Sequence, residues 1–112
     1  MLKTEEAEWL VATAHVFIQY NKPLKAIALL EWVLEEQVDM FDAAKNLVMA
    51  YYLAEDYKKA SKLCSKVIQT TTEDNPDLYY LSVLQGLIAS KLNEHSTARK
   101  LFFKFLDFRG TR

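Results

Sequence analysis

"NKPLKAIALLEWVL" (residues 21–34) and "EDYKKASKLCSKVI" (residues 55–68) decide how this chain folds. Each is apolar at the spacings of three and four that mark one face of a helix, and each holds an alanine where a larger side chain would bury more surface. The two alanines, Ala26 and Ala60, stand 34 apart, and Ala98 follows Ala60 after a further 38. Small residues kept at such an interval imply pairs of helix backbones packed closely, because a larger side chain in a tight contact costs about 1–3 kcal/mol.

Working outward, the same periodicity predicts six helices, near residues 4–20, 22–37, 40–54, 57–70, 76–91 and 95–108, joined by short connections. Asn75 followed by Pro76 predicts an N-cap with proline at the first helical position. Pro23 falls in the first turn of its helix, and Gly110 follows the last one. The polar run "TTTEDNPD" (residues 70–77) is the one substantial loop, and its extra length accounts for the change of interval from 34 to 38. No strictly alternating strand pattern occurs, so an all-α fold of three helical hairpins is expected, a single domain over 1–112.

The hairpins resemble the 34-residue tetratricopeptide (TPR) repeat, in which W-x2-L-G-x2-Y in the first helix is followed by A-x3-F in the second. The first repeat carries Leu10, Thr13, Ala14 and Phe17, then Ala26 and Leu30. The second carries Ala44, Leu47, Val48 and Tyr51, then Ala60 and Cys64. The third carries Ser82, Gln85, Gly86 and Ala89, then Ala98 and Phe102. The resemblance implies three repeats, near 7–40, 41–74 and 77–110, stacked into a short right-handed solenoid. Val48 is larger than the small residue of the pattern, and the first helix of the third repeat departs from it at three of four positions.

Composition narrows the function. Half of the 112 residues are apolar and a quarter charged, with two glycines and two prolines, as a globular helical protein requires. The net charge of −1 conceals a split, −6 over residues 1–56 and +5 over 57–112, but no basic cluster interleaved with aromatics points to nucleic acid. A single cysteine, Cys64, allows no internal disulfide and suits a reducing cytoplasm. Glu5, Glu6 and Glu8 occupy the place where a secretory signal carries positive charge, and no apolar run reaches the ~18 residues of a membrane span.

Catalytic groups do not converge. His15 and His95 stand near opposite ends of the chain without ligand-type neighbours at metal spacing, the acidic pairs are adjacent and so diverge on a helix, and the two glycines form no phosphate loop. No enzyme activity and no cofactor is expected.

The TPR resemblance implies instead a concave surface lined by the first helix of each repeat. Its residues by register are Val11, His15, Ile18 and Gln19; then Lys45, Asn46, Met49, Tyr52 and Leu53; then Tyr80, Val83, Leu84, Leu87 and Lys91. Val11, His15, Ile18, Met49, Tyr52, Leu53, Tyr80, Val83, Leu84 and Leu87 are the candidate partner-binding residues. TPR domains that grip acidic peptide tails use several cationic and amide side chains here, whereas only Lys45, Asn46 and Lys91 qualify. A lining of Met, Tyr, Leu, Ile and Val suits the apolar face of a guest helix, unless the side chains pack on one another. Phe102, Phe103, Phe105 and Phe108 in the last helix, with Trp9 and Trp32, are either core or contact surface.

Three bare repeats in about 110 residues, acidic in front, resemble the small TPR chaperones of bacterial type III secretion. That resemblance implies a cytoplasmic holding chaperone whose partners are a helical export substrate, typically the needle subunit, and a small helical co-chaperone. A sister group in the family holds a different small secreted component.

Overall fold

A computed structural model describes residues 1–37, 39–93 and 99–100. Among them are five helices and no strand: α1 (Thr4–Gln19), α2 (Pro23–Glu36), α3 (Phe41–Leu53), α4 (Tyr57–Thr70) and α5 (Asp77–Lys91). Each of the five begins and ends close to the span read from periodicity. Of the sixth expected helix, near 95–108, only residues 99 and 100 are described; Ala98, Phe102, Phe103, Phe105 and Phe108, and Gly110 after it, lie outside the described residues.

The two hairpins described in full turn in the same way. Asn21 and Glu55 adopt left-handed backbone, at φ 57° and 64°. Beside them, Lys22 N–H donates to the Phe17 carbonyl and Asn21 N–H to Ile18, while Asp56 N–H donates to Tyr51 and Glu55 N–H to Tyr52. These paired bonds are Schellman motifs, which satisfy the carbonyls left open at a helix C-terminus. Asn93 has φ 62° and donates to Ser90 after α5. The three left-handed residues are spaced by 34 and 38, so the turns carry the interval of the alanines.

Helix starts are fixed by side chains. Asp56 Oδ1 accepts from Lys59 N–H at 3.3 Å and caps α4. Asn75 Oδ1 accepts from Asp77 N–H at 2.9 Å, with Pro76 already in helical backbone, so Asn75 and Pro76 act as the sequence implies. Glu6 in the first turn of α1 accepts from Lys3 N–H at 2.8 Å.

Consecutive helices pack in series, α1 on α2, α2 on α3, α3 on α4 and α4 on α5, while the first helices of successive hairpins also meet, α1 with α3 and α3 with α5. The core follows the repeat. Ala14, Ala26, Val48 and Ala60 are fully buried, as are Leu30 and Cys64 one helical turn beyond the second-helix alanines. Val33 and Val67, also 34 apart, are buried in the same row. Fully burying a side chain such as Leu30, Leu81 or Ile88 contributes about 1.5–3 kcal/mol, and these buried rows hold the stack together. Polar groups that enter the stack are paired: Tyr51 Oη donates to Glu31 Oε2 at 2.5 Å between α3 and α2, and Gln85 Nε2 donates to Ser65 Oγ at 2.8 Å between α5 and α4.

Candidate functional site

The first helices of the hairpins, α1, α3 and α5, meet side by side, and their contacts differ along the stack. α3 packs more extensively on α1 than on α5. Between α3 and α5 lies a cleft of about 350 Å³ lined by Met49, Tyr79, Tyr80, Val83, Leu84 and Leu87. Among the described residues no charged side chain lines it.

Helical geometry gathers these six. Tyr79, Val83 and Leu87 follow one another at intervals of four on α5, with Tyr80 and Leu84 on the adjoining row, and Met49 supplies the opposite wall from α3. Leu84 is buried and forms the floor, whereas Tyr80 and Leu87 are 39% and 41% exposed at the rim. Met49 is half-buried against the core. Desolvation in this apolar setting, helped by the Asp77 carboxylate, raises the Tyr80 phenol above its ordinary pKa and keeps it neutral. Towards the start of α5, Lys45 Nζ meets Asp77 Oδ2 at 3.4 Å and ties the two helices together.

The structure brings together five of the ten candidate residues, Met49, Tyr80, Val83, Leu84 and Leu87, and leaves the other five outside this cleft. Val11 is buried in the core, so little of its surface is open to a partner. Ile18 packs half-buried against the same core. His15 is exposed and its Nδ1 meets Asn46 Oδ1 at 3.1 Å, while Asn46 Nδ2 donates to the Asp42 carbonyl. Tyr52 sits edge-on to Tyr57 with ring centres 5.8 Å apart, held at the α3–α4 turn, and Leu53, the last residue of α3, is half-buried beside it in sequence. Tyr79 is the lining residue that register alone misses. Its signal lies in its place four before Val83 and eight before Leu87.

Such a surface can hold apolar groups and offers them no reactive partner. Cys64, fully buried, donates through Sγ to the Leu81 carbonyl at 3.4 Å, and burial pushes its thiol up to about 12, far from the thiolate a nucleophile requires. Among the described residues no three of His, Cys, Asp and Glu are placed to hold a metal ion, and no helix is long and apolar enough to cross a membrane. Of Lys45, Asn46 and Lys91, the groups suited to gripping a carboxylate tail, the first two already bond to Asp77 and His15, while Lys91 is exposed at the end of α5.

No protein-family model matches the sequence, and no curated protein matches it. Among solved structures, the TPR domain of Arabidopsis FLU is similar, with a TM-score of 0.82 at 17% identity over 99% of this chain and 100% of that one. At that identity the likeness speaks for the fold alone. The chain is an all-α helical-repeat solenoid with the fold of TPR domains.

Proposed function

We propose that this chain is a non-catalytic protein-binding module that grips one apolar face of a partner helix in the α3–α5 cleft. The observation that carries this is the cleft itself: six apolar or aromatic side chains around about 350 Å³, open at a rim of Tyr80 and Leu87. A guest helix presents side chains at intervals of three and four, and a cleft between two helices receives such a row, with Met49 adapting to the shape of the guest. Val11, His15, Ile18, Tyr52 and Leu53 then contribute by shaping the concave wall rather than by lining the cleft.

The finer proposal is a cytoplasmic chaperone that keeps a type III export substrate, the needle subunit or another small secreted component, soluble until export, together with a small helical co-chaperone. It rests on the family resemblance of repeat number and length and on the apolar cleft. The alternative is a TPR adaptor or scaffold that recognises a short peptide tail; for an acidic tail, the pairing of Lys45 with Asp77 and of Asn46 with His15 weighs against it. Co-expression with a needle subunit tests both levels. A chaperone raises the soluble yield of the subunit and co-purifies with it, and Met49→Asp abolishes both effects while the helical circular dichroism is retained. Co-purification that Met49→Asp leaves unchanged would count against the cleft; no rescue of this or any other small export subunit would count against the chaperone.

A further inference from the structure

We infer that the outer face of α1 is a second interaction surface and that its partner is another copy of this chain, docked antiparallel through the same face. The repeat supplies the first argument. Trp9, Thr13, Val16 and Tyr20 lie at intervals of four, three and four, so they form one stripe along α1. Moved along the chain by one repeat, the interval from Ala26 to Ala60, they become Ala43, Leu47, Ala50 and Ala54, of which the first three are buried where α2 packs on α3. Moved on by the longer interval, from Ala60 to Ala98, Ala43, Leu47 and Ala50 become Leu81, Gln85 and Ile88 of α5. There α4 is the cover, through Cys64 to the Leu81 carbonyl and Ser65 to Gln85. The stripe on α1 is therefore a helix-packing face. Among the described residues no helix covers it: Trp9 is 67% exposed, Val16 47% and Tyr20 72%.

The chemistry of the stripe says which helix fits. Intervals of four, three and four are those of a coiled-coil seam. In an antiparallel pair of α1 helices, Trp9 meets Tyr20 of the second copy and Thr13 meets its Val16, so large aromatics close both ends over a small centre. The Thr13 hydroxyl donates to the Trp9 carbonyl at 2.9 Å, which leaves its methyl group for contact. Glu5, Glu6 and Glu8 at one end of α1 then approach Lys22, just beyond the other end, in the second copy. Parallel pairing would stack the three glutamates against their own kind. The antiparallel pair also repeats the orientation that neighbouring helices take within the chain.

This surface lies on α1 and is independent of the α3–α5 cleft, so the two proposals fail separately. Sedimentation equilibrium of the full chain over about 1–500 µM covers micromolar association, the range in which the test is read. The mass should rise from 13.0 kDa towards twice that value with concentration. Val16→Glu should weaken association at least tenfold, whereas Leu87→Glu in the cleft should leave it unchanged. A wild-type chain that stays at 13.0 kDa throughout overturns the inference. So does association that survives Val16→Glu, or association that Leu87→Glu abolishes.

Discussion

Ala26 and Ala60 show what a single side chain decides in this fold. Both are fully buried on the inner face of a second helix, and the neighbouring first helix leaves no room for a branch there. Ala60→Leu should therefore lower stability by about 1–3 kcal/mol, read as an earlier urea midpoint with unchanged slope. Glu55 presents the opposite case. Its φ of 64° puts a side chain with a Cβ in left-handed backbone, where Asn21 and Asn93 hold the same place in the other turns. Glu55→Gly removes that steric conflict and should stabilise the chain by about 0.5–1 kcal/mol in the same titration. The alanines were legible in the sequence because their interval repeats. The left-handed turn residues were not, because glycine, the usual marker, stands at none of the three.

At the scale of the helix, periodicity located five elements because each buries one continuous row, and Asn75–Pro76 marked the start of α5. The binding surface was less legible for a physical reason. Register assigns Val11 to the expected concave lining, but it cannot tell how closely neighbouring helices approach, and Val11 is buried in the core. Between α3 and α5 the approach is looser and the cleft stays open. The α2–α3 contact has its own signature in Tyr51. Its burial first, then its bond to Glu31 and the nearby carboxylates, raise its pKa well above the ordinary 10.0. A raised folded-state pKa makes this contribution complete below pH 10 and progressively lost above it, since the unfolded phenol ionises first. Tyr51→Phe should cost about 1 kcal/mol at pH 8, and its deficit against the wild type should narrow as urea titrations are carried towards pH 11.

Taken whole, the described residues form a short stack with a buried core, an apolar cleft between α3 and α5, and an exposed stripe of Trp9, Val16 and Tyr20 on α1. Among the described residues no three of His, Cys, Asp and Glu are placed to hold a metal ion, and burial holds Cys64 and Tyr51 in their neutral forms. The central claim is that the α3–α5 cleft receives a helix. Placing a photo-crosslinking residue at Val83 or Leu87, with Trp32 on the second helix of the first hairpin as a control, and mapping the crosslinked peptides in a complex purified from its own cells tests that claim most directly. The account predicts crosslinks from 83 and 87 to partner residues spaced three or four apart along one apolar face, and few from 32. Partner crosslinks confined to position 32, with none at 83 or 87, would contradict it.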